Sequence, residues 1–219
     1  DNHLAVSALL WAGGFTGSDG RSYRDSIDDA IEAIQLAADL NAGSLVLYSG
    51  SRAGHTRNHA KRLFKSAIDE LSPIADQRGV TLAIEPMHAG CAGAWTFLTN
   101  LDETLDVIRE MGCPQLRLVF DAYHLGQEEG MIERLPELAP MIALVQLGDA
   151  KSPPQGEQNR CRLGEGNVPL KEIVAAMVAG GYDGFFDVEL MGEDLDCPDY
   201  VELIAQSKSV FDSMLVAGT

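Results

Sequence analysis

At 219 residues, 46% hydrophobic and 22% charged, the chain has the length and composition of one globular domain with a sizeable core. Its 33 acidic residues against 16 basic ones give a formal charge of −17, which argues against a nucleic-acid-binding surface. No apolar run reaches the length of a membrane span and no secretory signal opens the sequence. The four cysteines, Cys91, Cys113, Cys161 and Cys197, lack C-x-x-C or zinc-finger spacing and read as reduced thiols of a cytoplasmic protein.

His3–Trp11 is the first strand expected, followed by a glycine-rich loop over Gly13–Gly20. Asp25–Leu40 keeps Ile27, Ala30, Ile31, Ile34 and Ala38 on one helical face, with Ser26 as a candidate N-cap. Ser44–Tyr48 is the second strand, and the polar loop after it carries His55 and His59. A helix is expected over about 59–78, with Pro73 bending or splitting it and Gly79 ending it. Val80–His88 (VTLAIEPMH) follows: an apolar run that reads as a strand covered on both faces, ending in Glu85 and broken by Pro86. Thr99-x-x-Asp102 marks the next helix start, leading through Leu105 and Ile108 to Gly112. Leu116–Asp121 is a strand, Met131–Leu138 a helix, and Ile142–Gln146 another strand. The long loop Asp149–Gly166 leads to a helix at Leu170–Ala179, a strand at Phe185–Glu189, and a final helix at Asp199–Val216.

Strand and helix thus alternate six times without a long hairpin, which predicts an α/β fold with a parallel sheet and right-handed crossovers. The stretch after Trp11 lacks the G-x-G-x-x-G spacing of a doubly wound nucleotide fold. Four successive strands end in an oxygen ligand, Glu85, Asp121, Gln146 and Glu189, and such ends converge most readily on the axis of a closed (β/α)8 barrel. Six units leave an eight-unit barrel incomplete. The expectation is a single TIM-barrel domain over 1–219 that represents about the last six βα units, with two further units, roughly 50–60 residues, ahead of Asp1. Without those units the strands beside the gap would expose apolar faces, which a homo-oligomer could cover. Three carboxylates and an amide form a hard-oxygen set that suits Mg²⁺ or Mn²⁺ better than zinc. A cation is also the simplest way to relieve the repulsion among clustered carboxylates.

With these motifs in place the sequence resembles the xylose-isomerase-like TIM barrels, the sugar (phosphate) isomerases and epimerases. The matching stretches are Glu85-Pro86, D-x-x-H at Asp121–His124, Q-x-x-D at Gln146–Asp149, V-E-L at Val188–Leu190, and N-R followed by L-G-E-G over Asn159–Gly166. The resemblance implies that Glu85, Asp121, Gln146 and Glu189 hold one divalent metal. Many members have His where this chain has Gln146; the hydroxypyruvate-isomerase-like members have Gln there. It implies further that His124 and Arg160 hold substrate oxygens, with Arg162 close enough in sequence to exchange roles with Arg160. His88 is a third candidate substrate contact. Trp11 and Trp95 suit core packing or an apolar pocket wall.

The chemistry so implied is isomerisation or epimerisation of a small sugar, sugar phosphate or hydroxy-carbonyl compound. A metal would polarise a carbonyl and its neighbouring hydroxyl and stabilise the enediolate, while Glu85 and Glu189 remove and return the proton. A dehydratase on the same barrel and a non-catalytic sugar-binding barrel stay open as alternatives. The DNA-repair endonuclease branch fits poorly, because it needs additional histidines and a basic surface, and the chain has five histidines in all.

Overall fold

The computed structural model describes residues 4–155, 159–192, 195 and 199–216. The chain divides into two compact units, Asp1–Val119 and Phe120–Thr219. His3 and Cys197 lie outside the described residues.

The first unit is built from β1 (Leu9–Gly13), α1 (Tyr23–Asp39), β2 (Leu45–Tyr48), α2 (Arg57–Arg78), β3 (Leu82–Ile84), α3 (Leu101–Met111) and the start of β4 (Leu116–Asp121). Neighbouring strands pair parallel in chain order, with Leu45, Val46 and Leu47 set against Leu82, Ala83 and Ile84. Every residue of β3, and Leu45–Leu47 of β2, is buried, as continuous apolar runs covered on both faces require. The first strand is shorter and later than the sequence pattern suggests.

Helix α1 starts earlier than expected. Ser22, not Ser26, is its N-cap: the Ser22 hydroxyl accepts from the Asp25 N–H at 3.1 Å, and the Asp25 carboxylate accepts from the Ser22 N–H at 3.1 Å. Ser26 lies a turn inside the helix, buried, with its hydroxyl donating to the Gly14 carbonyl at 3.3 Å. Helix α2 is capped by Thr56 and runs through Pro73 as one element; the proline removes a single backbone donor but the apolar face of Phe64, Ala67, Ile68 and Leu71 holds the helix together. Gly79, at φ 68°, ends it in the left-handed conformation that glycine adopts without strain. Asn100, rather than Thr99, caps α3 by accepting from the Glu103 N–H at 2.9 Å. Ion pairs Arg24–Glu70, Lys61–Glu110 and Arg57–Glu103 link α1 to α2 and α2 to α3 across partly exposed faces, where each contributes little.

The second unit contains the end of β4, α4 (Ala122–Leu125), α5 (Met131–Leu138), β5 (Ile142–Leu147), α6 (Leu170–Ala179), β6 (Phe185–Val188) and α7 (Tyr200–Val216). β5 and β6 pair parallel, with Gln146 opposite Asp187. The Tyr182 hydroxyl donates to the Phe185 carbonyl at 2.7 Å and fixes the tight connection from α6 into β6. Its core is formed by Leu144, Val145, Leu147, Leu163, Ile173, Val174 and Met177. The one-turn helix α4 has no counterpart in the sequence expectations, and it matters for the site. Cys91, Cys113 and Cys161 are thiols. Among the described residues no helix is long and apolar enough to cross a membrane.

Candidate active site

The candidate ligands stand at or next to the C-terminal ends of their strands, within a residue of the last strand position. Glu85 directly follows β3, Asp121 is the last residue of β4, Gln146 is the penultimate residue of β5, and Glu189 directly follows β6. Side chains at the C-terminal ends of parallel strands are where barrel folds place their chemistry. Glu85 and His88 belong to the first unit; Asp121, His124, Gln146, Arg160 and Glu189 belong to the second.

In the first unit, the Glu85 N–H donates to the Leu47 carbonyl at 3.1 Å, which extends the β2–β3 ladder by one residue and leaves Glu85 almost fully buried. His88 is engaged by its own turn. Its Nδ1 accepts from the Gly90 N–H at 3.0 Å, and its Nε2 lies 3.4 Å from the Cys91 sulfur. Trp11, Tyr48 and Trp95 form an aromatic cluster: the indole centroids are 5.4 Å apart and the Tyr48 ring stands edge-on to Trp95 at 6.0 Å. Trp95 is 36% exposed, so this cluster is not a closed core.

In the second unit, five polar side chains lie together, four of them buried and Glu189 nearly so. Asp121 caps α4 by accepting from the Tyr123 N–H at 2.7 Å, and this cap turns the chain so that His124 returns toward the same carboxylate, with Nε2 3.7 Å from Oδ2. Arg160, fully buried, donates from Nη2 to Asp121 Oδ2 at 2.7 Å, and the same nitrogen lies 3.3 Å from Glu189 Oε1. The face of Tyr123 covers the guanidinium at 4.3 Å. The Gln146 amide nitrogen donates to Glu189 Oε2. Gln146 Oε1 is left buried with no hydrogen-bond partner among the described residues.

Electrostatics follow from this crowding. Glu189 is pushed up from an ordinary 4.5 to about 7, first by burial and then by the neighbouring Asp121 charge; Arg160 opposes both but does not outweigh them. A carboxyl poised there can give or take a proton near neutrality.

The loop after β5 has an anchor of its own. Both Asp149 oxygens are saturated by backbone donors: Oδ1 accepts from the N–H groups of Ala150 and Val168, and Oδ2 from those of Gly164 and Gly166, at 2.8–3.2 Å. A carboxylate that binds four backbone donors is a structural clamp, and it holds the loop that carries Arg160. Arg162 is elsewhere: partly exposed, it faces Glu202 on α7 at 3.6 Å. The two arginines therefore do not share a role. The clamp of Asp149 and the Tyr123 ring under Arg160 are what residue patterns missed. Both sit inside the quoted motifs, but nothing in residue spacing distinguishes a ligand from the group that supports it.

The sequence matches the family of xylose isomerase-like TIM barrels over residues 1–213. The chain belongs to that family. Among characterised relatives of the family, it is 24% identical to inosose isomerase from Bacillus velezensis over 209 residues, covering 93% of this chain and 70% of that protein. It is 25% identical to fructoselysine 3-epimerase from Shigella flexneri, covering 77% of this chain and 59% of that one. Protein SMc04130 from Sinorhizobium meliloti 1021 superposes with a TM-score of 0.87 and 28% identity, covering 97% of this chain and 79% of that one. The IOLI protein, solved with a bound zinc atom, gives a TM-score of 0.82 at 19% identity, covering 99% and 78% of the two chains. The fold is thus that of the TIM barrel family, and the chain spans about three-fifths to four-fifths of these relatives.

Proposed function

We propose that the protein is a divalent-metal-dependent isomerase or epimerase acting on a small polyhydroxylated carbonyl compound. The observation that carries this reading is the unpartnered, buried Gln146 Oε1 beside the Asp121 and Glu189 carboxylates. A buried amide oxygen without a donor is costly unless something positive meets it. In the proposal Glu85, Asp121, Gln146 and Glu189 together hold one cation. All four donors are oxygens, the kind that Mg²⁺ and Mn²⁺ favour; the zinc in the IOLI protein makes zinc the metal to compare with them.

A cation held there supplies Lewis-acid polarisation of a substrate carbonyl. The remaining work falls to side chains. Glu189 takes the proton from the carbon beside the carbonyl, and Glu85 is the partner acid that returns it. Return to the same carbon from the opposite face inverts it; return to the neighbouring carbon, with the hydroxyl proton passing from one oxygen of the enediolate to the other, moves the carbonyl. Arg160 and His124 hold substrate oxygens, and His88 is the next candidate contact on the loop after Glu85. That relatives include an inosose isomerase and 3-epimerases of fructoselysine and D-psicose supports a polyhydroxy ketone as substrate class.

Calorimetric titration of the chelator-treated protein with Mn²⁺, Mg²⁺ and Zn²⁺ tests the metal site. One site per chain is expected, weakened at least tenfold in Gln146→Ala. Failure of the folded wild-type chain to bind any of the three would remove the basis of the mechanism.

A further inference from the structure

The residue that follows Leu147 is a glycine for a spatial reason rather than a conformational one. Gly148 is not in the left-handed region, so any residue could adopt its backbone conformation. A Cβ added there would lie 2.6 Å from Nε and 2.9 Å from Cδ of Arg160, and 2.9 Å from the Cβ of Tyr123. These separations are shorter than nonbonded carbon contacts allow.

Arg160 is held along its length. Its own N–H donates to the Met191 carbonyl at 3.0 Å, and the next N–H, of Cys161, donates to the Asp149 carbonyl at 2.9 Å. On its other face the guanidinium rests on Tyr123, and its tip is held by Asp121 and Glu189. Asp149, tied by four backbone donors, fixes the floor on which the slot is built. A methyl group at position 148 must therefore displace the side chain of Arg160, shift Tyr123 or open the loop.

We infer that Gly148 is a positioning residue: its missing side chain is the slot that sets the Arg160 guanidinium against Asp121 and Glu189. Its functional meaning rests on Arg160 being a site residue, as proposed above. The slot itself is tested without metal or substrate, so failure of the one reading is separable from failure of the other.

Arginine Nε–H resonances in a ¹⁵N-labelled sample provide the readout, with the Arg160 signal identified by its loss in Arg160→Lys. In Gly148→Ala that signal is expected to shift or broaden away while the other arginine signals stay in place. The thermal midpoint should fall by about 5 °C, as overpacking of a filled site does in a chain of this size. In an Arg160→Ala background the same Gly148→Ala change should cost less than half as much, because the vacated side chain leaves room for the methyl. A Gly148→Ala protein whose Arg160 signal is unmoved overturns the inference. So does a thermal penalty of equal size in both backgrounds, which would place the constraint on the backbone or on Tyr123. If Arg160→Ala does not fold, the Arg160 resonance in the single variant decides the matter alone.

Discussion

Replacing Glu189 by Gln in the metal-free protein should remove one pH-dependent component of stability, and its size can be worked out. Glu189 is held at about 7 against an ordinary 4.5, chiefly by burial and by Asp121. A folded chain that binds this proton more tightly than the unfolded chain gains stability from it at low pH. The contribution is complete below about 4.5 and is lost as pH rises through about 7. At about 1.4 kcal/mol per pH unit, it amounts to about 3 kcal/mol. Only 12% of the Glu189 side chain is exposed, so solvent screening removes little of it. For a chain of this length about 3 kcal/mol corresponds to roughly 10 °C in the thermal midpoint. Gln keeps the volume, and its carbonyl oxygen can still accept from the Gln146 amide. Thermal unfolding of both proteins in chelator, from pH 4 to pH 8, is the assay. The wild type should lose about 10 °C relative to the variant across that range, with most of the change between pH 5 and 7. Melting curves that run parallel at all pH values would show that Glu189 titrates normally in the metal-free protein and would refute the burial and Asp121 charge as a hold on its proton.

Three further outcomes follow from particular contacts. Arg160→Ala leaves Asp121 and Glu189 buried beside each other without their cation, and should cost about 3–5 kcal/mol in denaturant unfolding of the metal-free protein; a loss below 1 kcal/mol would mean the pair is solvated. Asp149→Asn faces four backbone donors with an amide group that is itself half donor, and should cost about 2–3 kcal/mol by the same measurement. Ser22→Ala removes the α1 capping box and should cost about 1 kcal/mol without altering metal binding.

Much of this protein is legible in its sequence, and the limits have physical causes. Apolar runs covered on both faces, such as Leu45–Leu47 and Leu82–Ile84, announce buried parallel strands, and helices ending at Gly79 and Gly112 announce their own stops. The positions of Glu85, Asp121, Gln146 and Glu189 at strand ends follow from the strand runs that precede them. The helix caps are Ser22 and Asn100 rather than Ser26 and Thr99, because neighbouring Ser, Thr and Asn residues compete for one role and only tertiary packing chooses among them. The supporting groups were the least legible. Whether an aspartate holds metal or four backbone amides, as Asp149 does, depends on how the following loop folds back. Likewise Gly148 looks like any turn glycine until Arg160 is in place beside it.

The central claim is that this chain moves a proton on the carbon beside a carbonyl. The most direct measurement is solvent deuterium incorporation, followed by NMR, into a panel of ketoses and inososes incubated with the Mn²⁺-loaded protein in heavy water. Exchange is expected at one carbon adjacent to the carbonyl of at least one compound, abolished in Glu189→Gln and in Glu85→Gln. No exchange into any compound of the panel would refute proton transfer by this chain, and exchange that persists undiminished in both variants would refute the roles of the two glutamates.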